Sequence, residues 1–254
     1  RYDFTGKNSC RKVLDRLERG DFLKVRLTIY EGSPIWKVAS LLKERLDLDS
    51  AELIALNTDS AFLAGLNLPG LEGYLYPETY FIPWGMKLGD VVEEMTAMYH
   101  AQTDTVWTES TYNNLTREEV IVLASIVEAE TMLDEEKSKV ASVYHNRIKK
   151  GMKLDADPTV IYGLGGLDRP LMKKDLQKDT PYNTYRKKGL PPTPINSPDL
   201  ASIRATLYPD SSEFYFFVAD GTGRHRFSRT NHEHNKARQE IKQALKEKEN
   251  NGGN

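Results

Sequence analysis

The run VIVLASIV, Val120–Val127, constrains the fold more than any other stretch of the chain. As a helix it has no polar face, so other elements must pack around it on all sides. Its start is well marked. Thr116 and Glu119 form a T-x-x-E capping box, with Leu115 and Val120 at the staple positions, which predicts a helix beginning at Arg117. Its end raises a question, because two carboxylates follow, Glu128 and Glu130. At about 100° per residue, Glu128 shares a face with Ile121, Ala124 and Ser125, while Glu130 points roughly opposite, beside Leu123. One can face a cleft while the other faces packing or solvent. A carboxyl at such a helix end is partly desolvated, so its proton affinity rises toward neutrality, as a general acid requires. Spacing alone does not choose between the two, and it leaves open that both sit at the wet end of the helix.

The 254 residues suffice for one large or two modest domains. With 35 Lys+Arg against 37 Asp+Glu, no global field favours nucleic acid, and no basic helix suggests a membrane surface. One cysteine, Cys10, excludes an intrachain disulfide framework and a cysteine-based zinc site. No segment approaches the roughly 20 apolar residues of a membrane span, and no signal peptide is visible. The chain opens on RYDFTGKNS without an initiator Met and is expected to be a fragment of something longer.

Residues 1–23 read as an N-terminal segment with a helix over 9–19 ending at Gly20. FLKVRLTIY (22–30) alternates as a strand does. Ser33-Pro34 predicts a helix start with the stripe Ile35, Val38, Leu41 and Leu42, and Asp49 or Ser50 starts another short helix. Together these make a strand–helix–helix unit over 24–70. Residues 71–103 read as an aromatic-rich connector with a helix near 88–100, ending in a polar spacer. Residues 104–245 form the larger unit. There, Asp157-Pro158 and Ser197-Pro198 predict two further helix starts. TPYNTYRKKGLPPTPINSP (180–198) is a long proline-rich loop of the kind that is usually functional or disordered. A hairpin and a polar helix follow, and residues 246–254 read as a disordered tail. The fold class is α+β, with a mostly helical core and short strands.

Other chemistries fare poorly. Asp155 and Asp157 could pair as metal ligands, but Asp157 is already accounted for as a helix cap. His225, His232 and His234 lack metalloprotease spacing, and hydrogen bonding and capping around Thr230 and Asn231 explain them better. YGLGGLD has no Lys-Ser/Thr and is no phosphate loop, and Ser125 is not on a nucleophile elbow. No metal is expected. Tyr182, Asn183 and Tyr185, with Tyr74, Tyr76 and Tyr80, suit a groove for a neutral polymer, since aromatic faces stack on sugars and amides bond hydroxyl or N-acetyl groups. The alternative is that these tyrosines are core residues.

SIVEAET, VASVYHNRIKKGMKLDADPTVIYGLG, TPYNTYRKKGLPPTPINSP and FYFFVADGTGRHRF…EHN, in this order, resemble the bacterial endolytic murein transglycosylases, the MltG or YceG-like family. LTIYEG and LEGYLYPETY extend the resemblance over essentially the whole chain. Asp155 and Arg224 depart from the family pattern, and Asp155 adds a negative charge near the proposed site. The resemblance implies a LysM-like glycan-binding module over 24–70, followed by a YceG-like catalytic domain. It places the catalytic glutamate on Glu128. It also implies cleavage of the β-1,4 bond between N-acetylmuramic acid and N-acetylglucosamine inside glycan strands, leaving 1,6-anhydro ends. Expected substrate-positioning residues are Tyr182, Asn183, Tyr185, Asn146 and Arg147, with Glu72 reaching the cleft from the first part of the chain. No cofactor is implied. Expected partners are peptidoglycan strands and peptidoglycan synthases (penicillin-binding proteins), with no nucleic acid. An N-terminal membrane helix outside this chain would place the catalytic part on the periplasmic or extracellular side. The rivals are a glycoside hydrolase pairing Glu128 with Asp155 or Asp157, and a non-catalytic wall-binding scaffold.

Overall fold

The computed structural model describes residues 9–18, 23–107 and 114–251. Its first half runs α1 (Cys10–Glu18), β1 (Lys24–Thr28), α2 (Ile35–Leu46), α3 (Ser50–Leu56), α4 (Ser60–Leu66), β2 (Thr79–Pro83) and α5 (Leu88–Trp107). Strand β1 pairs antiparallel with β2, from Lys24 opposite Pro83 to Thr28 opposite Thr79. Leu27, Val38, Leu42, Leu53, Leu71, Ile82, Val91 and Met95 are buried in one cluster. The strand–helix–helix segment and the stretch that reads as a connector therefore share a sheet and a core. Helix α4, capped by Asp59 through the N–H groups of Ala61 and Phe62, is an additional element. Residues 101–107, which read as polar spacer, continue α5 and bury Thr103, Val106 and Trp107. Gly20, the expected cap of α1, lies outside the described residues.

The start of α2 differs from its sequence signature. Ser33 is drawn into an isolated bridge with Ser197, with Gly32 N–H donating to Ser197 O (3.0 Å) and Ser197 N–H to Ser33 O (3.1 Å). The cap position falls on Pro34, which offers no side-chain oxygen. The buried N–H of Ile35 is met instead by Glu72, both of whose carboxylate oxygens accept it at 3.2 and 3.1 Å. One residue on, Gly73 has φ +87°, and a Cβ there would lie 2.6 Å from Pro194. The chain thus needs a glycine beside its capping acid.

The second half runs α6 (Arg117–Glu130), α7 (Asp134–Lys149), α8 (Asp157–Gly163), a 3-10 turn (Asp175–Gln177), α9 (Leu200–Leu207), β3 (Phe216–Ala219), β4 (His225–Ser228) and α10 (Asn231–Asn251). Every residue from Val120 to Val127 is buried, and the capping box forms as its sequence dictates. One face of α6 packs with Tyr74, Tyr99, Ile203 and Leu207, and another with Val140, Tyr144, Leu154 and Ile195. The one polar side chain in the run has a specific use. Ser125 donates its hydroxyl to Val122 O and accepts Ile195 N–H (3.0 Å), while its carbonyl accepts Asn196 Nδ2 (2.8 Å). The end of the proline-rich loop is thereby fastened to the central helix.

Three further signatures are corrected. Asp157 is the first residue of α8 and caps nothing; its carboxylate accepts the Tyr185 hydroxyl at 2.6 Å. Helix α9 is capped by Asp199, two residues beyond Ser197. Helix α10 continues through residues 246–251, where a disordered tail is expected from composition; residues 252–254 lie outside the described set. The hairpin is tied to α7 by His225, which gives its backbone N–H to Glu136 Oε1 (3.1 Å), while its Nδ1 pairs with Oε2 (2.7 Å).

Candidate active site

A cleft of about 990 Å³ opens where the end of α6, the start of α7, residues 158–168, residues 195–199 and the stretch 30–37 meet. Glu128 lines it, with a side chain only 7% exposed. Three donors converge on one of its oxygens. Ser202 Oγ (2.6 Å), Asp199 N (3.1 Å) and Lys137 Nζ (3.4 Å) all reach Oε2, and none of the described hydrogen bonds ends on Oε1. Oε1 is thus the carboxyl oxygen left open to a substrate. Lys137 is itself buried and also reaches Asp134 Oδ1 and Asp199 Oδ2, both at 3.0 Å. Asp199 Oδ1 in turn accepts Ser202 N–H at 2.7 Å.

The electrostatics follow from this crowding. Burial, and next the charge of Asp199, push the Glu128 carboxyl up to about 7, against the opposing hydrogen bonds of Ser202 and Asp199 N–H and the charge of Lys137. Burial also works against the charge of Asp199. The Ser202 N–H, hydrogen bonding with Glu128, and Lys137 nevertheless hold it below the ordinary carboxylate range. Lys137 loses affinity through burial but gains more from its acids, so it stays charged. Near pH 7 the group is poised between Glu128 protonated and Glu128 ionised beside a fixed Asp199–Lys137 pair.

The cleft wall is aromatic on one side. Trp36 of α2 lies 4.8 Å from Tyr162 of α8, and Tyr162 lies 4.7 Å from Tyr182 in the proline-rich loop, measured between ring centroids. Gly166, at φ +91°, brings its backbone against the Trp36 indole. Tyr30, 69% exposed, and Met132, 96% exposed, stand at the rim.

Of the two acids in the opening pattern, Glu128 faces the cleft. Glu130 turns inward, accepts the Tyr144 hydroxyl at 2.7 Å, and is pushed up to about 7 by burial. The other expected positioning residues divide. Tyr182 joins the aromatic ladder, its hydroxyl paired with Thr193 Oγ1. Tyr185 is turned to Asp157. Asn183 is fully buried, its amide spent on Leu176 O, Lys178 O and Tyr185 N–H. Asn146 holds Ser212 O and Phe214 O. Arg147 bonds Tyr215 O, Lys153 O, Leu154 O and Asp155. These three bind the chain to itself. Glu72, 3% exposed, does not line the cleft but supports it, accepting the Tyr162 hydroxyl at 2.9 Å as well as Ile35 N–H. Tyr74, Tyr76 and Tyr80 are core residues. Asp155 and Asp157 are absent from the cleft lining.

Sequence reasoning missed Lys137, Asp199, Ser202, Trp36 and Tyr162. Trp36 carried a signal, being a large aromatic off the buried stripe of α2. Lys137, within DEEKSK, reads as one charge on a solvated turn, and only packing turns it inward. Among the described residues, no three His, Cys, Asp or Glu side chains are placed to hold a metal ion, and no helix is long and apolar enough to cross a membrane.

A Bacillus subtilis protein named endolytic murein transglycosylase is 32% identical over 240 residues, covering 88% of this chain and 67% of that protein. A Streptococcus pneumoniae protein of the same name is 32% identical over 157 residues, covering 60% of this chain and 28% of its own length. A crystal structure of a yceG-like protein from Listeria monocytogenes superposes with a TM-score of 0.78 at 29% identity, covering 92% of this chain and 83% of that one. The YceG-like family model matches residues 1–240, a span that takes in both walls of the cleft and the buried acid between them. The chain belongs to the YceG-like family.

Proposed function

We propose that this chain is a lytic transglycosylase, a lyase that cuts peptidoglycan glycan strands internally, with Glu128 as its general acid and base. The observation that carries the reading is a buried carboxyl, pushed up to about 7, with one oxygen left open in a cleft of about 990 Å³ that Trp36 and Tyr162 help to line. The names of the Bacillus and Streptococcus relatives support the reaction class. The bond is the β-1,4 link between N-acetylmuramic acid and N-acetylglucosamine. Oε1–H of Glu128 protonates the glycosidic oxygen as an oxocarbenium-like transition state develops at C1. The resulting carboxylate takes the proton of the C6 hydroxyl, whose oxygen bonds to C1 of the same sugar. The product end is 1,6-anhydro, no water is consumed, and Glu128 ends protonated as it began. One carboxyl serves both proton transfers because the nucleophile belongs to the substrate. Trp36 and Tyr162 offer ring faces for sugars.

A hydrolase is the alternative; its second carboxylate would be Asp199, which lines the cleft with Glu128, in place of Asp155 or Asp157, which do not. Mass spectrometry of products from purified glycan strands tests both. Anhydro ends support the transglycosylase, reducing ends the hydrolase, and intact strands a binding scaffold. Anchoring by an N-terminal membrane helix, an extracytoplasmic position and work beside peptidoglycan synthases are part of the same proposal, and the family resemblance is their support.

A further inference from the structure

We propose that Asp199 is a positioning residue for this reaction, fixing the orientation and the protonation state of the Glu128 carboxyl, with Lys137 as the opposing partner. The inference rests on the reading of Glu128 as the acid, and it concerns a residue whose sequence context suggests no role beyond a helix start.

The geometry makes Asp199 more than a cap. Its backbone N–H binds Glu128 Oε2 at 3.1 Å, and its Oδ1 holds the N–H of Ser202, whose hydroxyl binds the same oxygen at 2.6 Å. Its Oδ2 takes Lys137 Nζ at 3.0 Å, and Lys137 reaches Glu128 Oε2 at 3.4 Å. Two rings of hydrogen bonds thus share one carboxylate oxygen, and the start of α9 is their common frame. A cap serving only the helix would not need its neighbours to meet on a cleft-lining acid. The other charged groups of the same cleft are Asp134 on α7, Glu31 and Lys37 on the stretch 30–37, and Asp168 beyond α8. Of these, Asp134 touches the pair through Lys137.

Two like charges this close do not ionise together cheaply, so the permanent charge of Asp199 favours the protonated form of Glu128, while Lys137 and the Ser202 hydroxyl favour the ionised form. The reaction needs both forms in turn, and balanced opposition supplies both near neutral pH.

Asp199→Asn keeps an N-cap of equal quality while removing the charge. The test is a carbon-13 NMR titration of the Glu128 carboxyl, without substrate, in wild type, Asp199→Asn and Lys137→Gln, alongside pH–rate profiles of strand cleavage. In Asp199→Asn the midpoint is expected to fall from about 7 toward the ordinary 4.5. At pH 7.5 kcat/KM should drop on the order of tenfold, with recovery in acid. In Lys137→Gln the midpoint should move the opposite way. Equal midpoints in all three proteins, or shifts of the same sign in both variants, overturn the proposal. Wild-type protein that titrates as expected but cuts no glycan would instead overturn the functional reading and leave the electrostatic arrangement standing.

Discussion

Gly32 and Glu128, 96 positions apart in the chain, are packed against each other: a Cβ at Gly32 would lie 3.7 Å from Glu128 Cγ. The backbone at Gly32 has φ +69°, and its N–H is committed to Ser197 O, two residues before Asp199. The first part of the chain therefore forms a wall of the acid's own pocket.

Gly32→Ala separates backbone strain from crowding. The left-handed conformation costs a non-glycine residue roughly 1 kcal/mol, so the melting temperature should fall modestly. The new methyl meets Glu128 at ordinary contact distance but occupies cleft space, so kcat/KM should fall on the order of tenfold or more, as small misplacements of reacting groups do. A variant with the expected thermal shift and wild-type turnover would show that substrate does not use the cleft space beside Gly32.

Glu128→Gln should abolish cleavage and, at alkaline pH, stabilise the fold. A carboxyl raised in the folded state from 4.5 to about 7 contributes stability that is fully present below pH 4.5 and lost as pH rises through about 7. Glu72 and Glu130, raised to about 7 by burial, act in the same direction. Replacing Glu128 by an amide removes its share of the loss, at most about 3 kcal/mol. Melting curves should therefore show the variant more stable than wild type at pH 8, with the advantage vanishing near pH 4.5. An equal difference at both pH values would mean Glu128 titrates as an ordinary exposed acid.

Much of this site was legible locally, and the rest depended on contacts across the chain. The start of α6, its burial on all sides and its terminal acids follow from a continuous run of about fifteen residues with a strong cap. Which acid faces the cleft does not, because that depends on Tyr144 taking Glu130 from one side while Ser202 takes Glu128 from the other. The Ser-Pro and Asp-Pro pairs mislead for two different reasons. The backbones of Ser33 and Ser197 are held in a bridge to each other, whereas it is the side chain of Asp157 that is engaged, by the Tyr185 hydroxyl. The true partner of the α2 terminus, Glu72, lies 37 residues away. The amides of Asn146 and Asn183 suit sugar hydroxyl and N-acetyl groups, and Arg147 suits a carboxylate, which it meets in Asp155. They suit buried backbone carbonyls equally well, and composition cannot separate the two uses.

Asp157→Ala tests that reassignment. A lost N-cap costs about 0.5–2 kcal/mol, whereas an exposed residue whose carboxylate accepts one tyrosine hydroxyl should cost less, about 0.5–1 kcal/mol. Tyr185→Phe removes the same hydrogen bond, so the double variant should be little worse than either single one in denaturant titrations. Additive losses would return Asp157 to a role at the helix start. Neither change should make activity sensitive to a chelator.

Trp36→Ala addresses what the segment 24–70 contributes. Taken as a separate binding module, that segment would hold distant parts of a long strand, and its loss would spare short glycans. In the structure Tyr30, Trp36 and Lys37 line the same cleft as Glu128, the Ser33–Ser197 bridge fastens the stretch to the loop that carries Asp199, and Glu72 links Ile35 to Tyr162. Trp36 supplies the outermost ring of the aromatic ladder beside Tyr162. Deleting the indole removes a stacking face worth about 1 kcal/mol or more per sugar ring, by analogy with other aromatic contacts. Because that face lies within the reacting cleft, binding energy drawn from it is available at the transition state as well as in the ground state. The expected outcome is a similar fall in kcat/KM, roughly fivefold to tenfold, on glycans long and short, with the fold intact by circular dichroism. A loss confined to long strands would instead show that the indole serves a remote subsite and that the first segment works as an independent binder.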